Sequence, residues 1–202
     1  GESKWITGPE ARQEVQKLRA RSSASMTGIG TILADDPQLN VRFSADHDNW
    51  YPSGQKIRQP LKIIVDSDGR LPASAQILKE GKVLVITAND ITIAEPAECL
   101  VLPSVDQNID LNALMAVLAQ REINELMIEA GGVLNGALLK AGLIDELVIY
   151  MAPKIMGDMA RGVFHLPEMM TMSQNISLTI DDIRAVGKDW RITARPIYNE
   201  ES

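Results

Sequence analysis

The sequence predicts an α/β fold, with a mixed, mostly parallel sheet flanked by helices and an antiparallel hairpin at the C-terminal end. Two observations support this prediction. Short aliphatic runs alternate with helical patterns through the middle of the chain, and two strand patterns flank a glycine turn near its end. With 202 residues, of which 45% are hydrophobic, the chain can bury one full core. We therefore expect a single domain over residues 1–202.

The first predicted element is a helix that starts at Thr7-Gly8-Pro9-Glu10 and runs to about Arg21. We expect the Thr7 hydroxyl to cap its first turn, while Pro9 loses nothing there by lacking an N–H. The apolar residues Ala11, Val15 and Leu18 recur at helical spacing, so one face should pack on a core.

Three runs then lack any alternation of polar and apolar residues, which is typical of strands covered on both faces. They are Leu61 to Val65, Lys82 to Thr87 and Leu126 to Glu129. Because such strands are usually parallel and central, we place all three inside the sheet.

Helical patterns separate and follow these strands. One begins at Asp110, and a second covers Val133 to Ala141 and ends at Gly142. Glu146 to Ala152 is then predicted as a strand. Ser177 to Ile183 and Trp190 to Pro196 form the hairpin, and Ser44 to Gln59 is the longest predicted loop.

Composition excludes several classes of function. A net charge of −7 and a pI near 4.9 oppose binding to nucleic acid or anionic membranes. One cysteine, Cys99, and two histidines offer neither a disulfide framework nor a soft-ligand metal cluster, which favours a reducing, cytosolic compartment. No apolar run approaches the roughly 20 residues that span a bilayer, so we expect a soluble protein.

A glycine turn follows the third predicted strand, where Glu129-Ala130-Gly131-Gly132 leads into a helix. This arrangement places free N–H groups and a positive helix end at a strand's carboxyl edge, where α/β sheets bind phosphate. A Gly-Gly pair is also a common strand-to-helix connection, and the spacing differs from the G-x-G-x-x-G of dinucleotide folds. The residues alone leave both interpretations open.

A second glycine cluster, Thr27 to Thr31, follows a short apolar run. Asp35 and Asp36 come next, as a turn before Pro37 or as polar anchors of a site. Arg19 and Arg42 suit bidentate recognition of phosphate, but each is equally compatible with a solvated surface charge.

These segments occur in an order that is characteristic of one protein family. They are Ser3 to Arg12, Leu18 to Ala20, Gly30 to Arg42, Ile64 to Ser67 with Arg70, Ile128 to Gly132, Gly142 to Leu147 and Ala152 to Gly157. Together they resemble the reductase domain of the bifunctional riboflavin biosynthesis deaminase-reductase, whose fold is similar to dihydrofolate reductase. The resemblance covers nearly the whole chain and implies a dihydrofolate-reductase-like sheet.

The resemblance implies NADPH as cofactor and assigns residues to it. The implied cofactor-binding residues are Trp5, Thr31, Asp35, Ser67, Gly131, Gly132, Val133 and Leu134. The turn from Gly131 to Leu134 would bind the pyrophosphate, and Ser67 with Arg70 would recognise the 2′-phosphate that distinguishes NADPH from NADH.

The implied substrate is a phosphorylated ribosylaminopyrimidine, bound by Ser3, Arg19, Leu39, Arg42 and Glu129. The implied reaction is the NADPH-dependent reduction of 5-amino-6-(5-phosphoribosylamino)uracil to its ribitylamino product, by hydride transfer to ribose C1′ of the ring-opened imine. Glu129 is the first candidate catalytic residue, for steering the substrate or the proton, and Asp35 is the second. The alternative for Glu129 is a carboxylate that caps the following helix.

The family places a further strand, with an S-L-D-G-like segment, and an upstream zinc deaminase domain before the position where this sequence begins. We expect both in the full-length polypeptide, and a cytoplasmic homodimer in contact through the apolar C-terminal strands. Two alternatives stay open. One is a reductase acting on the non-deaminated diaminopyrimidinone, and the other is a non-catalytic dimerisation or ligand-binding module of the same fold.

Overall fold

A computed structural model of the chain describes residues 5–42, 57–93, 95–157 and 160–198. In chain order, its helices and strands are α1 (Pro9–Arg21), β1 (Ala24–Gly28), α2 (Ile29–Asp35), β2 (Leu61–Val65), β3 (Val83–Thr87), β4 (Glu98–Val101), β5 (Ser104–Val105), β6 (Asn108–Ile109), α3 (Leu111–Gln120), β7 (Leu126–Ile128), α4 (Gly132–Lys140), β8 (Leu147–Met151), β9 (Ser177–Val186) and β10 (Asp189–Ile197). Short 3-10 helices cover Gln76–Lys79 and Met172–Gln174.

The central sheet has five parallel strands in the order β4-β3-β2-β1-β7. Its two faces are covered by separate apolar clusters. Ile29 and Ile32 of α2 pack on one face, and Leu114 of α3 and Leu138 of α4 pack on the other. The predicted parallel sheet flanked by helices is therefore confirmed, and β1, β2 and β3 are its buried strands.

The second sheet has three antiparallel strands in the order β8-β10-β9. The predicted hairpin is confirmed: β9 and β10 are joined through Gly187 and Lys188, and Gly187 has the positive φ of +61° that the turn requires. In the register, Ile192 of β10 lies opposite Ile149 of β8 and Ile183 of β9. Side chains that lie opposite one another share a face, so the three strands present one apolar face.

The start of α1 differs from the sequence prediction. Its N-cap is Gly8 rather than Thr7, and no side chain of the cap residue bonds the first turn. Instead, the Gly8 N–H donates to Asp189 Oδ2 at 2.6 Å. Asp189 is the first residue of β10. A side chain of the hairpin therefore bonds the N-terminal end of α1, where the Thr7 hydroxyl was expected to do so. Pro9 occupies the first helical turn, as predicted.

The helix that follows β6 begins as the sequence indicates. Asp110 is the N-cap of α3, and its Oδ1 accepts from the N–H groups of Asn112 and Ala113 at 2.9 and 3.1 Å. Helix α4 ends shortly before Gly142, whose φ of +69° is the left-handed conformation that favours glycine after a helix. Within the described ranges, no helix is both long enough and apolar enough to cross a membrane.

The two sheets end at strands that are consecutive in the chain. β7 is an edge of the central sheet, β8 is an edge of the C-terminal sheet, and α4 connects them. Both strands consist of apolar residues with one tyrosine, yet Leu126–Ile128 and Leu147–Tyr150 are only partly buried. These edge strands therefore have the composition of interior strands without the burial of interior strands.

Candidate functional site

The candidate site lies at the carboxyl edge of the central sheet. Because β1 is hydrogen-bonded to β2 on one side and β7 on the other, the turns that leave these three strands are neighbours. They begin at Gly28, Asp66 and Glu129. Ligands of α/β sheets bind at this edge, since helix N-termini and irregular turns gather there.

Glu129 follows β7 directly and is held by a two-pronged ion pair. Arg19 of α1 donates from Nε to Oε1 at 2.8 Å and from Nη2 to Oε2 at 2.7 Å. Ser25 of β1 adds a longer contact at 3.4 Å from its hydroxyl to Oε1. The parallel bonds of a guanidinium fork fix both the position and the plane of the carboxylate. Glu129 is thus a fixed hydrogen-bond acceptor, only partly buried, at the sheet edge.

The third nitrogen of Arg19, Nη1, donates to the Asn40 carbonyl at 2.6 Å, and Arg19 is buried. The family resemblance implied that Arg19 and Arg42 both bind the substrate. In the structure each nitrogen of this guanidinium already bonds the protein, so its main role is to hold Glu129 and the segment that contains Asn40. Of the two arginines, only Arg42 has an exposed side chain.

That segment, residues 36–42, is fixed by side chains from several elements. Leu39 is buried with a φ of +50°, an uncommon conformation for a branched residue. The amide of Asn40 donates to Glu80 Oε2 at 2.7 Å, and the Gln59 side chain bonds both the N–H and the carbonyl of Val41 at 2.8 and 3.0 Å. The hydrogen bonds of the next two residues therefore hold Leu39 in this backbone conformation.

Arg42, the last residue of this segment, is bonded to α1. Its backbone N–H donates to Gln16 Oε1 at 2.7 Å. Gln16 precedes Arg19 by three residues and shares a helix face with it. Arg19 thus links Glu129 to the segment that contains Leu39 and Arg42.

Lys62 of β2 lies beneath the same network and is completely buried. Its ammonium donates to the carbonyl oxygens of Ile77 and Glu80 at 3.2 and 2.6 Å. Burial lowers the pKa of Lys62 to about 8, the Glu80 carboxylate opposes this shift, and the charge of Arg19 adds to it.

The two glycines of the turn after β7 have different environments. A methyl group at Gly131 would lie 3.6 Å from the Thr31 hydroxyl oxygen, so this exposed glycine faces α2 across the edge. At Gly132 a methyl group would lie 2.9 Å from the Gly162 carbonyl oxygen, because residues 162–165 cross the start of α4. The His165 N–H also donates to the Gly132 carbonyl at 2.9 Å. Packing explains Gly132, and the edge position leaves Gly131 open to a ligand.

Helix α4 starts at Gly132, so Val133 and Leu134 belong to its first turn. Thr31 and Asp35 are four residues apart in α2 and share its face, with Asp35 exposed at the last position of the helix. Of the two residues predicted as a turn before Pro37, Asp35 is the last residue of α2 and Asp36 follows the helix. Asp36 then ends α2 with a φ of +41°, and its Oδ1 accepts from the Gln76 N–H at 2.8 Å.

Trp5 lies on the surface with 67% of its area exposed. The Arg12 guanidinium carbon is 4.5 Å from the centre of the Trp5 ring, within the range of a cation–π contact. Arg12 also donates to the Thr7 carbonyl, and Lys154 donates to the Trp5 carbonyl at 2.9 Å. The ring is thus held in place while one side remains available.

The turn after β2 carries Ser67 and Arg70. Ser67 is partly exposed, and its carbonyl accepts from Ala88 N–H at 3.1 Å. Arg70 is exposed and pairs with Asp68, with 3.6 Å between Arg70 Nε and Asp68 Oδ2. Ser3, an implied substrate residue, lies outside the described residues.

Sequence reasoning missed the residues that support the site, above all Asn40 and Asp66. Both belong to segments that resemble the family, and both are buried polar residues beside the implied contacts. Their polarity inside apolar segments is the signal that points to them. Across the described part of the chain, no cluster of three or more His, Cys, Asp or Glu residues could hold a metal ion.

Comparison with known proteins gives consistent matches. The family model described as the RibD C-terminal domain matches residues 1–192. The riboflavin biosynthesis protein RibD of Haemophilus influenzae is 40% identical over 202 residues, which cover 97% of this chain and 54% of that protein. The 5-amino-6-(5-phosphoribosylamino)uracil reductase of Buchnera aphidicola is 39% identical, covering 97% of each chain.

Among solved structures, Acinetobacter baumannii RibD has a TM-score of 0.81 at 36% identity, covering 98% of this chain and 53% of that one. The chain thus spans about half the length of the RibD proteins of Haemophilus influenzae and Acinetobacter baumannii.

Proposed function

Because the chain belongs to the RibD C-terminal domain family, we propose that it is the reductase that converts 5-amino-6-(5-phosphoribosylamino)uracil to 5-amino-6-(5-phosphoribitylamino)uracil with NADPH in riboflavin biosynthesis. The Buchnera aphidicola relative, which matches over almost its full length, carries the name of this reductase. The observation that carries the proposal is the position of Glu129, which directly follows β7 and lies in the turn that leads into α4.

The residues present fit a dinucleotide. The first turn of α4 has N–H groups without partners inside the helix, and Gly131 in front of it has no side chain to block an anion. This donor set suits the diphosphate. When bound, the cofactor supplies a hydride from nicotinamide C4 to ribose C1′ of the ring-opened substrate. Thr31, Asp35 and Trp5 are proposed as further cofactor contacts, since an aromatic face beside a flat ring is favourable.

The choice of NADPH over NADH is proposed to depend on Ser67 and Arg70. A hydroxyl and an exposed guanidinium are the groups that bind a phosphate monoester by charge-assisted hydrogen bonds. The surface pair of Arg70 with Asp68 is worth little in water, so a phosphate can displace it at low cost.

On the substrate side, Arg42 is proposed to bind the 5-phosphate, with Ser3 as a further contact and buried Leu39 shaping the wall of the site. Glu129 is proposed to accept a hydrogen bond from the substrate and thereby to hold C1′ near the nicotinamide. Arg19 keeps the carboxylate in one orientation, which is the main contribution a protein can make to a hydride transfer. Asp35 stays the second candidate for proton delivery.

A strand from a preceding segment is proposed to pair between β7 and β8. The two edges belong to strands joined by one helix, and both keep apolar residues partly exposed. One added strand would bury these residues and join the two sheets into one. The full-length polypeptide is further proposed to carry the zinc deaminase domain, and a single cysteine among 202 residues agrees with a cytoplasmic location.

We also propose that the chain forms a homodimer through the apolar face of the C-terminal sheet. Exposed apolar side chains lie there on all three strands: Met151, Leu178, Ile180, Ile183 and Trp190. A contiguous apolar patch of this kind is typical of a protein interface.

The test measures oxidation of NADPH by the full-length polypeptide with the deaminated and the non-deaminated substrate. We expect turnover with the deaminated substrate, and Arg42→Ala should raise its KM about 10- to 100-fold through loss of a charge-assisted contact. Glu129→Gln should lower kcat.

Arg121→Ala serves as the matched control, because Arg121 pairs with Glu98 at the amino edge of the sheet. It should leave both constants unchanged. Turnover with the non-deaminated substrate alone would reassign the substrate, and no turnover with either would refute the proposed reductase activity.

A further inference from the structure

We infer that Asp66 is a positioning residue for cofactor selection. Its buried carboxylate sets the shape of the turn 66–71, which presents Ser67 and Arg70 to the 2′-phosphate. This inference rests on the proposed function, since it takes NADPH as the cofactor. It adds a residue that itself contacts no ligand.

Asp66 is the first residue after β2 and is completely buried. Its N–H donates to the Ile86 carbonyl of β3 at 2.9 Å, which continues the pairing of the two strands by one residue. A carboxylate is costly to bury unless it accepts hydrogen bonds. Asp66 Oδ2 accepts one, but Oδ1 has no partner among the described residues. An aspartate with half its bonding capacity unused is a poor choice for stability alone.

The two hydrogen bonds that Asp66 accepts both lie within the turn. Oδ2 accepts from the Leu71 N–H at 2.8 Å, and the Asp66 carbonyl accepts from the Gly69 N–H at 3.2 Å. One residue therefore closes the turn at its middle and at its end. Replacement by an apolar side chain would leave the buried-side N–H of Leu71 without an acceptor, a loss that favours rearrangement of the turn.

The opposite side of the turn is fixed to the segment that follows β3. Gly69 has a φ of +69°, and a side chain there would collide with the δ-methyl group of Ile91. The Ser67 carbonyl accepts from Ala88 N–H at 3.1 Å. The backbone between residues 67 and 70 is thus held by the Asp66 carboxylate on one side and by these contacts on the other. Ser67 and Arg70 are held at its exposed rim.

Geometry and charge predict opposite effects for this residue. If Asp66 acted only through its negative charge, its removal would tighten the binding of a cofactor that carries an extra phosphate. If it acts by shaping the turn, loss of the acceptor must weaken binding of that cofactor even though a negative charge is removed. Asp66→Leu removes both charge and acceptor, whereas Asp66→Asn removes the charge and keeps an oxygen that can accept from Leu71.

The experiment measures the Kd of NADPH and of NADH by calorimetry on the full-length polypeptide, without substrate. For Asp66→Leu we expect about a tenfold loss of NADPH affinity, a change of NADH affinity below about twofold, and an unchanged kcat at saturating NADPH. Asp66→Asn should restore NADPH affinity to the level of the unsubstituted protein. Asp68→Asn is the matched control in the same turn, since its exposed carboxylate can be lost without weakening NADPH binding.

Equal losses for NADPH and NADH, or tighter NADPH binding by Asp66→Leu, would overturn the inference. If Asp66→Leu does not fold, hydrogen exchange of the Leu71 amide in the unsubstituted protein decides instead. Slower exchange with NADPH than with NADH supports the inference, and equal exchange overturns it. If the unsubstituted protein binds neither nucleotide, the proposed function fails first, independently of Asp66.

Discussion

The ammonium of Lys62 should make the stability of this protein rise with pH over a defined window. Lys62 lies fully buried on β2, where the carbonyl oxygens of Ile77 and Glu80 accept from its ammonium. Burial is the largest cause that lowers its pKa from 10.5 to about 8. In the unfolded chain the same group is solvated and returns to its ordinary pKa.

The sign and size of the effect follow from this difference. Between pH 8 and 10.5 the unfolded chain holds a proton that the folded chain has released, so the free energy of unfolding increases with pH through that window. A pKa difference of one unit corresponds to 1.36 kcal/mol, so the free energy of unfolding should increase by about 3 kcal/mol across the whole window. Below pH 8 both states are protonated and the penalty of burying the charge is constant.

Urea unfolding from about pH 7 to about pH 10 measures this gain, with Lys62→Met as the variant that lacks the titrating group. We expect the variant to lose the rise between pH 8 and 10.5 and to be at least as stable as the unsubstituted protein near pH 7. Tyr150 has a pKa raised to about 12 by burial and by Glu14, so it lowers stability only above pH 10 and does so in both proteins. Parallel pH profiles of the two proteins would refute the assignment of the rise to Lys62.

Three further outcomes are expected. Gly136→Ala should lower the free energy of unfolding by about 2 kcal/mol in urea, because its methyl group would overlap the His165 carbonyl, and an unchanged value would contradict the close crossing. Arg19→Lys should cost about 2 kcal/mol through loss of a buried two-pronged bond, whereas Arg21→Lys, an exposed pair in the same helix, should cost less than about 0.5 kcal/mol. Ile183→Asp should convert a dimer to a monomer in light scattering, and a monomeric unsubstituted protein would refute the proposed interface.

Local patterns predicted the parts of the fold that local sequence controls. The aliphatic runs of β2 and β3, the Asp110 cap and the Gly187 turn each carry their own signal. The central strand β1 does not, since Ala24-Ser25-Met26-Thr27-Gly28 contains little that favours a strand. Its burial on both sides by β2 and β7 decides its conformation.

The same distinction applies to the site. The placement of Glu129 beside a glycine turn was predictable from the order of strand and helix patterns. Its partner was not, because Arg19 is 110 residues away and no pairing signal exists in one sequence. The contact of Gly132 was equally unpredictable, because residues 162–165, which fill the space where its side chain would lie, are 30 or more residues away in the chain.

The contact of residues 162–165 with the start of α4 can be followed by hydrogen exchange of a single amide. The amide hydrogen of His165 is held by the carbonyl of Gly132, the first residue of α4. Its exchange with solvent therefore records how often the crossing segment lifts from the helix. This one backbone signal follows the separation of the crossing segment from α4 without any label, substitution or added chromophore.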